Sequence, residues 1–223
     1  MLQVHRPRIA PRVRRAIQVV GPGDESDVLA AVVDGQPLRR AGIAVAGQVG
    51  PYRVDEKLNV NLNNYSWTQN FSMLYIDNPV GSGFSFTQSS QGFAQNEQNV
   101  ADDLYEALQQ FFTLFSEYRN NDFYLTGESY AGKYIPAIGY KLHTMANTSN
   151  INFKGIAIGN GFIDPISMFD KGSFLYQIGL IDENQLQHFY LIQNRTAKDI
   201  ANGNFSDAFI MIDELLGKRI NFL

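Results

Sequence analysis

The alternation of apolar runs between residues 70 and 159 constrains the fold more than any other feature of this chain. Apolar runs of strand length occupy residues 70–77, 123–126 and 153–158. Between these runs, apolar residues recur at helical spacing over residues 96–118 and again over residues 133–145. Strands that alternate with helices pack as a parallel sheet covered by helices on both faces. The sequence therefore predicts an α/β fold.

The region that follows residue 161 is predicted to be mostly helical. Asp182 suits the N-cap position of a helix that ends near residue 192. Ser206 suits the same position for a second helix, which ends near residue 216.

The chain changes character near residue 50. None of its 28 aromatic residues precedes Tyr52, whereas the first 49 residues contain 7 of the 11 arginines and have neither asparagine nor lysine. Their net charge is +3, against −7 for the remainder. The start is rich in arginine and poor in acidic residues, but it lacks the serines of a transit peptide and the long apolar core of a secretory signal. We expect residues 1–49 to be an unrelated or disordered N-terminal segment and residues 50–223 to form the domain.

Composition excludes several function classes. Hydrophobic residues make up 44% of the 223 residues, and no apolar run approaches the 18 residues of a membrane span. A net charge of −4 gives no reason to expect nucleic acid binding. The chain has no cysteine, which excludes disulfides, thiolate metal sites and a cysteine nucleophile. No metal cluster or phosphate-binding loop is evident, so we expect neither metal nor cofactor.

One turn carries the pattern of a catalytic site. Residues 127–132 read GESYAG and lie between a predicted strand and a predicted helix. A serine nucleophile is held at such a sharp strand-to-helix turn, where its neighbours must be small. Gly127 and Ala131 meet this need on either side of Ser129. The strict motif has its second glycine at the position of Ala131, whereas here the glycine, Gly132, comes one position later. The turn would raise the hydroxyl of Ser129 above the edge of the sheet, with the Tyr130 N–H directed at a developing oxyanion.

Four segments, in order along the chain, resemble the serine carboxypeptidases. They are YIDNPVGSGFSF (75–86), NNDFYLTGESYAG (120–132), GESYAGKYIPAIG (127–139) and FKGIAIGNGFIDP (153–165). The similarity is greatest to the vitellogenic-like branch and runs from about residue 50 to at least residue 190. It implies an incomplete α/β-hydrolase sheet with helices on both faces and the start of a helical cap insertion.

The resemblance also implies roles for three residues. Ser129 would be the nucleophile that hydrolyses the C-terminal residue from a peptide or protein substrate, and the Tyr130 N–H would be one of two oxyanion donors. Glu128 would bind the substrate's terminal carboxylate as one member of a hydrogen-bonded carboxyl pair. Because two close carboxyl groups cannot both ionise cheaply, such a pair retains a proton into mildly acidic solution and favours activity there.

The remaining parts of such a site are not found in the sequence. A serine nucleophile needs a histidine base and a carboxylate that orients it. Of the three histidines, His5 lies in the N-terminal segment, and His143 lies about 20 Å along the helix that follows Ser129. His188 is expected at a surface or an interface. Gln48 stands where the family has the acidic partner of Glu128. We expect no triad Asp or His in this chain, which would make it an inactive fragment or a partial gene product.

Two other functions remain open at this stage. The chain could be a non-catalytic isoform that acts by binding, or an acyltransferase built on the same scaffold with the same elbow. Five N-x-S/T sequons fit the ancestry of a lysosomal or secreted enzyme. They begin at Asn64, Asn70, Asn147, Asn194 and Asn204.

Overall fold

The computed structural model describes residues 17–20, 28–34 and 49–215. Among them, the residues up to Gly161 form one compact unit and those from Phe162 onward form another. The strands are β1 (Ile17–Val20), β2 (Val28–Asp34), β3 (Tyr52–Val54), β4 (Val60–Leu62), β5 (Ser72–Asp77), β6 (Asp122–Glu128) and β7 (Phe153–Gly159). Five of them form one sheet in the order β1-β5-β2-β6-β7, and β3 pairs with β4 in a separate hairpin.

The predicted parallel arrangement is confirmed for most of the sheet. Strand β2 pairs in parallel with both β5 and β6, and β6 pairs in parallel with β7. Strand β1 is antiparallel to β5. Strands β1 and β2 lie within the first 49 residues, where the sequence pattern predicted no strand. The prediction that residues 1–49 are unrelated to the domain that follows stays a prediction.

Two long helices cover one face of the sheet. They are α1 (Glu97–Leu114) and α2 (Ala131–Thr144), which contact each other, and a short helix α3 (Ala146–Ser149) follows. Their apolar faces join Leu74, Ile76, Phe123 and Leu125 of the sheet in one buried cluster. Full burial of such side chains contributes roughly 1.5–3 kcal/mol each. The sequence predicted helices on both faces of the sheet, and α1 and α2 form the layer on one of them.

The boundaries of α1 follow from its sequence. Asn96 caps the helix, because its side chain accepts a hydrogen bond of 2.9 Å from the Asn99 N–H. The apolar residues that recur at helical spacing include Leu104, Leu108 and Phe111, and each of these three is about 1% exposed. The helix ends at Leu114, and residues 116–118 form a 3₁₀ turn, so the predicted end near residue 118 was one turn too late.

All the secondary-structure elements described in the second unit are helices, as the sequence predicts. Its helices are α4 (Pro165–Met168), α5 (Gly172–Gln177), α6 (Glu183–Ala201) and α7 (Phe205–Leu215). Asp182 caps α6 in a reciprocal capping box with Gln185. Helix α6 extends nine residues beyond the predicted end at residue 192. Ser206 is not an N-cap, because it is the second residue of α7.

Candidate active site

The predicted elbow lies between the end of β6 and the start of α2. Strand β6 ends at Glu128 and α2 begins at Ala131, so Ser129 and Tyr130 alone make the turn. Ser129 has a φ of 57°, in the left-handed region that residues with a Cβ rarely adopt. Retaining a serine in such a conformation costs free energy, and conformations of this kind cluster at functional sites. The geometry is that of a sharp strand-to-helix turn with the serine at its apex.

Backbone hydrogen bonds hold the turn in place. The Ser129 N–H donates to the Gly159 carbonyl, at 3.0 Å, and thereby ties the elbow to the end of β7. On the helix side, the Gly132 N–H donates to the Ser129 carbonyl, also at 3.0 Å. Gly159 lies opposite Glu128 in the β6–β7 register. The strained backbone of Ser129 is therefore supported from the neighbouring strand and from the helix that follows.

The small residues around the serine are packed closely. Ala131 is fully buried in the apolar cluster beneath α2, and Gly132 is buried beside it. A bulky side chain at Ala131 would displace part of the core, which is the physical reason that the motif needs a small residue there.

The two residues beside Ser129 differ in environment. The Glu128 side chain is exposed at the carboxyl end of β6. The Tyr130 ring is 36% exposed and lies 5.2 Å from the Tyr134 ring, measured between centroids. Burial, followed by the Glu97 carboxylate, raises the pKa of Tyr130, so its phenol is neutral at physiological pH. An aromatic ring thus lies at the side of the elbow near the start of α1.

The sequence does not reveal how the loop that follows β5 is held at the same edge of the sheet. The Asp77 carboxylate accepts a hydrogen bond of 2.9 Å from the Phe84 N–H, and the Asp77 carbonyl accepts one of 2.7 Å from the Ser85 hydroxyl. Gly83 has a φ of 50°, and a Cβ there would lie 2.3 Å from the Asp77 Oδ2. The loop is folded around one carboxylate. The DNPVGSG sequence with its two glycines signalled a loop, but not its attachment to Asp77.

The structure describes two histidines, His143 and His188, and of these only His143 lies in the same unit as Ser129. His143 lies near the end of α2, fourteen residues after Ser129, which corresponds to roughly 20 Å along the helix axis. His188 is exposed on α6, in the second unit, in agreement with its predicted surface position. His5 and Gln48 lie outside the described residues. The acidic pairing predicted for Glu128 therefore stays a prediction, as do the oxyanion role of the Tyr130 N–H and the carboxylate-binding role of Glu128.

Other features bear on what the site can bind. The described residues contain no group of three or more histidine, aspartate or glutamate side chains arranged to hold a metal ion. In the part of the chain that the structure describes, no helix is both long and apolar enough to cross a membrane. The five sequon asparagines all have exposed side chains; they are Asn64, Asn70, Asn147, Asn194 and Asn204.

Sequence comparison supports the resemblance. A profile of the family described as serine carboxypeptidase matches residues 41–210, beginning ahead of the predicted boundary at residue 50. The probable serine carboxypeptidase CPVL of Homo sapiens is 50% identical over 170 residues, which are 75% of this chain and 36% of that protein. The vitellogenic carboxypeptidase of Aedes aegypti is 46% identical over 140 residues, which are 63% of this chain and 30% of that protein. The chain thus spans about a third of the length of these curated relatives.

Comparison with solved structures agrees on the fold. The crystal structure of Kex1(Δ)p, a prohormone-processing carboxypeptidase from Saccharomyces cerevisiae, superposes with a TM-score of 0.76. The match covers 97% of this chain and 50% of the yeast chain, at 22% sequence identity. The profile match, the identity to the curated relatives and the strained serine between β6 and α2 agree: the chain belongs to the serine carboxypeptidase family and has its α/β-hydrolase fold.

Proposed function

We propose that Ser129 is the nucleophile of a serine-type carboxypeptidase site, which removes C-terminal residues from peptide substrates. The observation that carries the proposal is the left-handed backbone of Ser129 at the apex of the β6–α2 turn. In this position the hydroxyl projects from the carboxyl edge of the sheet, and the start of α2 supplies backbone N–H groups beside it. Attack by the hydroxyl on a carbonyl would place the developing negative charge near the Tyr130 N–H.

Glu128 is proposed to bind the terminal carboxylate of the substrate. Its side chain is exposed at the end of β6, directly before the nucleophile. A glutamic acid that retains its proton can donate a hydrogen bond to a carboxylate, whereas an ionised one repels it. This requirement would distinguish a free chain end from an internal peptide, and it is the reason for proposing an exopeptidase.

The same proposal limits what the 223 residues do alone. His143 lies about 20 Å from Ser129 along α2 and cannot accept the proton of the hydroxyl. Removing the histidine of a serine triad lowers turnover by about 10⁶-fold. We propose that neither His5 nor His188 supplies that base, so the 223 residues hold the nucleophile without it and have no useful peptidase activity alone.

A peptidase assay with an external base tests both parts. The 223-residue chain and its Ser129→Ala variant are compared on an N-blocked dipeptide and on a p-nitrophenyl ester, with and without added imidazole. We expect equal rates without imidazole, and a faster rate for the unaltered chain on the ester as imidazole replaces the missing base. Turnover that depends on Ser129 without imidazole would contradict the missing base. Equal rates at every imidazole concentration would contradict Ser129 as the nucleophile.

We also propose that proteins of this kind pass through a secretory route and end in a lysosomal or extracellular location. All five sequon asparagines are exposed, as an acceptor of N-linked glycan must be. After expression with a secretory leader, treatment with a glycosidase that removes N-linked glycans should increase gel mobility. Replacing the sequon asparagines with glutamine one at a time would remove the shift stepwise. A protein without any shift would show that these sequons do not accept glycan and would remove the support for this route.

A further inference from the structure

Two asparagines of the chain are followed directly by glycine, and the two pairs lie in different surroundings. Asn160 and Gly161 follow the last residue of β7, in the bend where the chain leaves the sheet. Asn202 and Gly203 follow the last residue of α6. Both asparagine side chains are exposed. Exposure to water therefore does not distinguish one pair from the other.

An asparagine that precedes glycine is chemically labile, because the glycine has no Cβ to hinder attack by its own nitrogen. That nitrogen loses its proton and attacks the asparagine Cγ. A new C–N bond forms, and the bond from Cγ to the side-chain nitrogen breaks and releases ammonia. Water then opens the resulting five-membered ring at one of its two carbonyl carbons, which yields either aspartate or isoaspartate. The only co-reactant is water.

The reacting atoms of the first pair are not held by hydrogen bonds. In the part of the chain that the structure describes, the Gly161 N–H donates no hydrogen bond, and the Asn160 side chain neither donates nor accepts one. Asn160 also lies outside the strand that precedes it. The nitrogen of Gly161 can therefore lose its proton, and the side chain of Asn160 can turn toward it, without breaking a bond within the described residues.

The backbone of the second pair is held by the end of α6. The Gly203 N–H donates to the Ile200 carbonyl at 3.0 Å, and the Asn202 N–H donates to the Lys198 carbonyl, also at 3.0 Å. These two bonds fix the peptide group between Asn202 and Gly203 and engage the hydrogen that must leave. Attack at this pair therefore requires local opening of the helix end.

The backbone conformation of Asn160 also favours its conversion. Its φ of 44° lies in the left-handed region, which asparagine tolerates better than most residues with a Cβ but still at a cost in free energy. In isoaspartate the chain runs through the former side chain and gains one methylene group. The product is therefore no longer confined to the left-handed conformation that the asparagine adopts.

From these observations we propose that Asn160 is a site of spontaneous deamidation in the folded chain, and that it reacts ahead of Asn202. The product carries a carboxylate where the asparagine had a neutral amide. Asn160 directly follows Gly159, whose carbonyl accepts the Ser129 N–H and which lies opposite Glu128 in the sheet. The modification thus adds a negative charge beside the strand-to-helix turn. The inference is independent of the proposed catalytic role of Ser129.

The test follows both pairs in the same molecule. The 223-residue chain is incubated at about pH 8, where loss of the amide proton is favoured, and timed samples are digested and compared with a sample taken at the start. Peptide mass spectrometry measures the gain of about 1 Da at each asparagine, and electron-transfer fragmentation distinguishes isoaspartate from aspartate. In the folded chain Asn160 should react at least fivefold faster than Asn202, because a hydrogen bond must first break at Gly203.

Two controls separate the effect of the structure from that of the local sequence. In concentrated urea the two pairs should react at rates within about twofold of each other, because glycine follows the asparagine in both and no fold protects either. In the folded chain, Gly161→Ala should lower the rate at Asn160 at least fivefold, since the added Cβ hinders the attacking nitrogen. The matched variant Gly203→Ala should leave the rate at Asn160 unchanged.

Three results would overturn the inference. They are equal or faster reaction at Asn202 in the folded chain, a folded chain in which Asn160 gains no mass while both pairs react in urea, and a preference for Asn160 that is as large in urea as in the folded chain. The third result would assign the preference to local sequence alone. If Gly161→Ala does not fold, the comparison of folded and urea-unfolded chain needs no substitution and still decides the question.

Discussion

Replacing Ser129 with glycine should stabilise the chain relative to replacing it with alanine. Both changes remove the hydroxyl, so they differ only in the Cβ and in backbone freedom. Ser129 has a φ of 57°, and a left-handed conformation costs a residue with a Cβ about 1–2 kcal/mol. Glycine avoids this cost but loses about 0.5–1 kcal/mol through the greater entropy of its unfolded chain. The glycine variant should therefore be more stable than the alanine variant by about 0.5–1 kcal/mol.

Tyr140 provides the matched control for that comparison. It lies inside α2 with its side chain 71% exposed, and its backbone is helical. At an ordinary helical position glycine is less stable than alanine by about 1 kcal/mol. The order of glycine and alanine should therefore reverse between position 129 and position 140, with a combined difference of about 1.5–2 kcal/mol.

Urea unfolding followed by tryptophan fluorescence measures these differences. The chain has one tryptophan, Trp67, which lies in the same compact unit as Ser129 and Tyr140. The four variants at the two positions are compared with the unaltered chain, and their transition slopes should agree. If Ser129→Gly is less stable than Ser129→Ala by the amount seen at position 140, Ser129 does not have a left-handed backbone and the argument for a strained elbow fails.

Three further substitutions test other parts of the structure. Gly83→Ala should lower the free energy of unfolding by about 2 kcal/mol or more, because its Cβ would meet the Asp77 carboxylate at 2.3 Å. Gly203 also has a positive φ but has no atom within 4 Å of an added Cβ, so Gly203→Ala should cost about 1 kcal/mol. Equal losses in urea unfolding would contradict the Asp77 contact. Asp182→Ala should lower the stability of α6 by about 1 kcal/mol through loss of its capping box, and an unchanged melting curve by circular dichroism would argue against that cap. Burial raises the pKa of Tyr75 to about 12. The stability linked to its neutral phenol is therefore fully present below pH 10 and is lost as the pH rises through 12. Tyr75→Phe should lessen this alkaline loss of stability, and an identical pH profile for the two proteins would refute the raised pKa.

The sequence predicted the strand-to-helix turn at Ser129 well because the relevant signal is local. A strand, a small residue on each side of a serine and a helix are all set by neighbouring residues, and the structure has them in that order from β6 to α2. The face of α1 could likewise be predicted from the spacing of Leu104, Leu108 and Phe111. These features depend on the 3.6-residue period and on steric limits at a tight turn, which a single sequence reveals.

Other features depend on contacts between distant residues. Strands β1 and β2 were missed because the first 49 residues lack the aromatic residues that marked the later strands. Their partners in β5 are also distant in the sequence, 53–59 residues from β1 and 43 residues from β2. The fold of the loop around Asp77 depends on a side chain whose hydrogen bonds cannot be read from composition. Ser206 was mistaken for a cap because a serine before an apolar stretch is an equally good first-turn residue.

Labelling with a fluorophosphonate probe, read by peptide mass spectrometry, tests the central claim most directly. The claim is that Ser129 stands at a nucleophile elbow and that these 223 residues do not supply its general base. A serine without its base should not react above the level of the chain's other serines, and Ser129→Ala should leave the overall labelling unchanged. Rapid modification of Ser129 alone, abolished in Ser129→Ala, would contradict the claim and show that the chain contains a working base.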